Sequence, residues 1–164
     1  MSKPRSYPYK GTRVSLDSSR AEIDQLLRKY GITATQWTTV WDESRIELRF
    51  PIEVTVEGIH KKVMVSIKPP LFMSKHRSYD ARKGYVQITA PDFKASMRAL
   101  FFYIKAMLEA QFYGLAKIED VFMSHIVASM TDDSGVIREV SLGDRMRASI
   151  LKGEIPALTN GGAT

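Results

Sequence analysis

The chain has 164 residues, 44% of them hydrophobic, which is enough for one domain with a core and short for two independent ones. It contains no cysteine, which excludes disulfides, Cys-ligated zinc, iron–sulfur clusters and thiol catalysis. The net charge is +6, and it is unevenly placed: residues 1–13 carry Lys3, Arg5, Lys10 and Arg13 against no acid, and residues 60–83 carry seven Lys and Arg against Asp80 alone. The rest of the chain is mildly acidic, so the pattern is that of a local polyanion contact or of a solubilising charge run, and the confinement to two segments favours the first. Met1 to Tyr9 are basic and rich in Pro and Tyr, without the apolar stretch of a signal peptide. No apolar run approaches the roughly 18 residues of a membrane helix, so a cytoplasmic protein with no membrane segment is expected.

In chain order, residues 1–13 read as a basic flexible tail. Thr12 to Leu16 reads as a short strand, and Ser19-x-x-Glu22 as a capping box opening a helix. Ile23, Leu26, Leu27 and Tyr30 recur at helical spacing as one buried stripe, and Gly31 ends it. From Thr35 to Lys68 the period changes to 2: Ile46, Leu48 and Phe50 alternate with Arg45, Glu47 and Arg49, then Ile52, Val54 and Val56 with Glu53, Thr55 and Glu57, then Val63, Val65 and Ile67 with charged and polar residues. Pro51 and Glu57-Gly58 punctuate these runs, giving three or four antiparallel strands with one dry and one wet face.

Residues 69–89 open with Pro69-Pro70, lack sustained periodicity and read as a long basic loop. Pro91 near a helix start, with Thr89 as N-cap, opens the longest helix, which runs to about Tyr113 and is closed by Gly114. Phe93, Met97, Leu100, Ile104, Met107 and Leu108 form its main apolar face, and Ala95, Ala99, Ala106 and Ala110 a second face of small side chains open to another element. A helix over about 117–130, a turn at Thr131 to Gly135, a strand from Val136 to Val140, a helix beginning at Ser141-x-x-Asp144 and closed by Gly153, and a loose tail over 156–164 complete the chain. The expected fold is therefore α+β, a single domain over 14–155: a β-α start, an antiparallel sheet of three to five strands packed by a long central helix, then helix, short strand and C-terminal helix.

No motif names a reaction: His60, His76 and His125 are scattered, and no HExxH, phosphate loop or Gly-x-Ser-x-Gly elbow is present. Asp42 with Glu47-Leu-Arg49 is the nearest pattern to a metal nuclease, but Arg49 is a poor stand-in for the usual lysine, and Glu47 and Arg49 read as ordinary wet-face residues. His125 reads as a core histidine. No catalytic residue, metal ligand or cofactor is expected. Lys10, Arg13, Lys61, Lys62, Lys68, Lys75, Arg77, Arg82 and Lys83 are the candidate phosphate contacts. Trp37 and Trp41 lie four apart in a period-2 segment and so share a face. On the wet face they would form a stacking platform with Tyr79 and Tyr85, and on the dry face they are core, the commoner fate of tryptophan.

Arg98 to Ala110, Gly114, the run Ile118 to Val127, Lys29-Tyr30-Gly31 and Gly153-x-x-Pro156 together resemble a group of small uncharacterised proteins of tailed phages and prophages, over about two thirds of the chain. The resemblance implies a phage or mobile-element setting and no known activity. A protein that binds nucleic acid, single-stranded DNA favoured, in replication, recombination or annealing is the first functional expectation. An oligomeric assembly module with an acidic partner is the second, and a metal-dependent nuclease the third.

Overall fold

A computed structural model describes residues 6–56, 58–131 and 136–152. Of the expected turn at 131–135 all but Thr131, which belongs to a strand, lies outside these residues, as do the closing Gly153, the C-terminal tail, Lys3, Arg5 and Glu57. The architecture is α+β, with a five-stranded antiparallel sheet carrying two helices on its dry face and a separate two-stranded hairpin.

Helix α1 spans Leu16–Lys29. Its N-cap is Ser15, whose Oγ accepts from the Ser18 N–H at 3.0 Å, so Thr12 to Leu16 forms no strand and Ser19 sits buried inside the first turn. This start, ahead of the expected one, places Leu16 against the core. Beyond the helix, Gly31 takes φ +85°, the left-handed conformation that favours glycine.

Strands β1 (Gln36–Val40), β2 (Arg45–Val56) and β3 (Ile59–Ile67) form a meander with the register Trp37↔Leu48, Thr39↔Ile46 and Phe50↔Val65. Pro51 does not break β2. It lies past Arg49, the last residue paired with β1, so the missing N–H falls where β2 has no neighbour on that side. Helix α2 spans Phe93–Phe112 and is capped by Asp92, not Thr89, with Asp92 Oδ1 accepting from the Ala95 N–H at 3.1 Å. Ile23 and Leu27 of α1 and Met97, Leu100, Ile104 and Leu108 of α2 bury the dry face built from Ile46, Leu48, Phe50, Ile52, Val65 and Ile67. Of the alanines on the second face of α2, Ala95 is buried within the protein and Ala106 is exposed.

Two segments depart from the sequence reading. Residues 73–91 are not a loop but a hairpin, β4 (Met73–Asp80) and β5 (Gly84–Pro91), paired only with itself. Asp80 Oδ1 accepts the N–H groups of Arg82 and Lys83, and Gly84 at φ +73° closes the turn. The expected helix over 117–130 is a short one, α3 (Ile118–Phe122), followed by one 3₁₀ turn (Met123–His125) and strand β6 (Ile126–Thr131). Ile126 and Val127 add to the edge of β3, a better use of β-branched side chains than a helix. Strand β7 (Ile137–Ser141) pairs with β6, and α4 (Leu142–Leu151) follows, capped as expected by Ser141 accepting from the Asp144 N–H at 3.1 Å. The sheet order is β1-β2-β3-β6-β7. No helix among the described residues is long and apolar enough to cross a membrane.

Candidate functional site: a basic arm and a polar cleft

The β4–β5 hairpin is an arm about 25 Å long at roughly 3.3 Å per residue. Strand pleating sorts its side chains. One face carries Lys75, Arg77 and Tyr79 of β4 opposite Thr89, Gln87 and Tyr85 of β5, while Ser74, His76, Ser78, Val86 and Ile88 occupy the other. Arg82 and Lys83 stand at the tip. Tyr79 and Tyr85 are 70% and 78% exposed and meet edge to face at 5.5 Å. Among the described residues no carboxylate lies within ion-pair distance of Lys75, Arg77, Arg82 or Lys83. The cations elsewhere that approach acids, such as Arg45, Arg98 and Lys105, do form pairs.

The arm is rooted at the start of α2. The Asp92 N–H donates to the Phe72 carbonyl at 2.7 Å, and Ser96 Oγ accepts from the Phe72 N–H at 3.2 Å. Residues 6–13, expected within a flexible tail, make contacts at this root: Tyr7 stacks on Phe72 at 5.0 Å and its phenol donates to Asp92 Oδ2 at 2.9 Å, while Tyr9 stacks on Phe102. Lys10 lies over the Tyr7 ring at 5.8 Å, which brings it to the foot of the arm, and Arg13 is exposed beyond it. Lys61 and Lys62 are elsewhere. They sit at the far end of β3, roughly 23 Å along the strand from Lys68, and Lys62 pairs with Glu53 at 3.7 Å.

The tryptophan platform is not formed. Trp37 shares the dry face with Leu48, packs against the core, donates from Nε1 to Asp24 at 3.0 Å and is covered by the Arg20 guanidinium at 5.4 Å. Trp41 lies beyond β1, 71% exposed, edge-on to Phe93 at 6.5 Å.

The wet face of the sheet holds what the sequence did not announce. Arg49 of β2 donates to Glu139 of β7 at 2.7 Å although β3 and β6 lie between. Four strands laid flat would separate β2 and β7 by about 14 Å, and the register sets Glu139 four residues off the row of Arg49, about 13 Å along the strand, so the two Cα atoms would stand roughly 19 Å apart, farther than the two side chains reach. The sheet is therefore curved, with its wet face concave. Together with the 3₁₀ turn and α4, this face encloses a cleft of about 550 Å³. Glu47, only 5% exposed, forms the floor, accepting from Arg49 Nε at 2.9 Å, Ser66 Oγ at 2.6 Å and Arg45 Nη1 at 3.5 Å. Burial pushes its carboxyl up, but the hydrogen bonds from Ser66 and Arg49 and the charges of Arg49 and Lys68 outweigh that and hold it below the ordinary glutamate value. Glu47 is thus spoken for by cations, not poised as a metal ligand, and the described residues bring no three His, Asp or Glu together as a metal group. His125 lines the far wall, half-buried rather than core, with Nε2 2.8 Å from the Tyr103 hydroxyl. Burial, and secondarily Arg147, holds its imidazole below the usual value. Gly143 lets α4 approach this wall closely: a Cβ there would stand 2.7 Å from the Ser124 carbonyl oxygen.

No family model matches the sequence, and no curated protein or solved structure matches it.

Proposed function

We propose that the protein binds nucleic acid through the β4–β5 arm, with unpaired single-stranded DNA as the favoured form. The observation that carries this reading is one ribbon face presenting Lys75, Arg77, Tyr79 and Tyr85 beside a tip of Arg82 and Lys83, where none of the four cations forms an ion pair among the described residues and the one acid of the turn, Asp80, is engaged with backbone N–H groups. Unneutralised cations on a projecting element pair with phosphates and release counterions, and exposed tyrosine rings stack on bases in a sequence-tolerant way, each stack contributing about 1–3 kcal/mol. Lys10 at the foot extends the same path. Trp41 is exposed but lies off the arm, and Trp37 has no part in binding because its indole is committed to Asp24 and the core.

Fluorescence anisotropy with single-stranded and duplex oligonucleotides at low salt tests this. The expected result is single-strand binding that is abolished by reversing Lys75, Arg77, Arg82 and Lys83 to Glu. It should be weakened by Tyr79→Ala with Tyr85→Ala far more than duplex binding is. A two-stranded ribbon also fits the major groove of a duplex. Equal loss on both substrates would transfer the reading to double-stranded DNA, and no binding at all would end it.

A further inference from the structure

We propose that the cleft between the concave face of the sheet and α4 is a second binding site, taking a phosphate monoester of nucleotide size. Its volume of about 550 Å³ falls within the range of roughly 300–1,000 Å³ typical of small-molecule sites. Four cations line it, Arg45, Arg49, Lys68 and Arg147, against three carboxylates, Glu47, Glu139 and Asp144.

These groups are not equivalent. Arg49 is locked between Glu47 and Glu139 and serves as the cleft's brace. Lys68 stands exposed at the mouth and forms no ion pair among the described residues. Arg147 is 74% exposed and tied only to its own helix neighbour Asp144, and Arg45 reaches Glu47 at a loose 3.5 Å while its Nε holds the exposed Glu43 at 2.9 Å, a pair that lies outside the floor. Lys68, Arg45 and Arg147 can therefore turn onto an incoming dianion without dismantling the floor, and the Ser66 and Ser124 hydroxyls lie on the same lining. A phosphate monoester supplies close to two negative charges and three acceptor oxygens near pH 7, which suits three converging cations better than a carboxylate does. Val127 gives the cleft an apolar patch for the ester group.

A stability role alone accounts poorly for this arrangement. Buried ion networks are generally no more stabilising than an apolar layer of the same volume, whereas buried charge gathered in a cleft is the common state of binding sites.

The ligand has two sources, a free nucleotide or the phosphorylated end of a strand, and the test separates them. Isothermal titration of the full chain at low ionic strength with thymidine 5′-monophosphate, thymidine and inorganic phosphate is expected to show the monophosphate binding best. Lys68→Glu with Arg147→Glu, both at exposed positions, should weaken it at least about tenfold while circular dichroism and Tm hold. The arm charge-reversal variant should bind the monophosphate as the unaltered protein does, which keeps this site distinguishable from the arm. If a 5′-phosphorylated oligonucleotide then binds the arm variant better than its unphosphorylated twin, strand ends are the source; if the two are equal, free nucleotides are. No monophosphate binding at millimolar ligand, binding no tighter than that of inorganic phosphate, or binding unmoved by the double substitution would overturn the proposal.

Discussion

Replacing Glu47 by Leu removes the floor of the cleft and asks what the buried carboxylate contributes to stability. The substitution deletes a charge-assisted hydrogen bond from Arg49, a hydroxyl bond from Ser66 and the looser contact of Arg45. Stripping one partner from a fully buried ion pair costs about 3–5 kcal/mol because the other charge is stranded. Arg49 is not stranded to that degree, since its side chain is 28% exposed and it keeps Glu139 at 2.7 Å. The expected loss is therefore about 2 kcal/mol, near the worth of the charge-assisted bond itself. In urea, with a slope of about 1–3 kcal/mol per molar, this lowers the unfolding midpoint by roughly 1 M. Urea is the right denaturant because it does not screen charge. The double variant Glu47→Leu with Arg49→Met should recover most of the loss, for it removes both charges and leaves only Glu139, which is half exposed. The pH dependence has a definite sign. The folded-state pKa of Glu47 lies below its unfolded value, so its contribution is complete above the ordinary carboxylate range, about 4.3, and fades as pH falls through the lower folded value. The acid limb of the stability profile should be shallower in Glu47→Leu than in the unaltered protein. A loss under about 0.5 kcal/mol would refute the reasoning by showing that water replaces the partners at no cost, and so would a double variant no more stable than the single one.

Gly143→Ala should cost about 1–3 kcal/mol, because the added methyl meets the Ser124 carbonyl at 2.7 Å and overpacking of this kind shifts backbone; a Tm equal to that of the parent protein contradicts it. The two tryptophans should separate cleanly. Trp37→Phe loses the bond to Asp24 and part of its packing against the core and is expected to cost about 1–2 kcal/mol by urea unfolding, whereas Trp41→Ala should stay within about 0.5 kcal/mol. Acrylamide should correspondingly quench the fluorescence of a Trp37→Phe variant, which retains only Trp41, more strongly than that of Trp41→Phe.

What the sequence discloses and what it hides follow from where hydrophobic contrast exists. The sheet and the stripes of α1 and α2 are legible because one face of each is buried, so Ile46, Leu48 and Phe50 alternate with charged neighbours and Ile23 and Leu27 recur at helical spacing. The arm reads as a loop because both its faces meet solvent: with no dry side there is little period-2 contrast, and only Val86 and Ile88 hint at a strand. Charge alone picks out the candidate cations of the arm, while their grouping on one ribbon face needs the Tyr79↔Tyr85 register. The helix expected through residue 130 ends at Phe122, and from Ile126 pairing with β3, a neighbour distant in sequence, overrides local periodicity. The cleft is invisible for the same reason. Arg45, Glu47 and Arg49 look like any wet face of a strand, and only the curvature that carries Glu139 across to Arg49 makes that face a floor.

If the arm holds nucleic acid through its four cations, as proposed, the salt dependence of single-strand binding measures that number directly. With Lys75, Arg77, Arg82 and Lys83 changed to Gln, the slope of log K against log salt should become shallower by about 3, at roughly 0.7 for each phosphate that the arm no longer neutralises. A slope unchanged from that of the unaltered protein would show that the arm does not touch the phosphates, and would contradict the account.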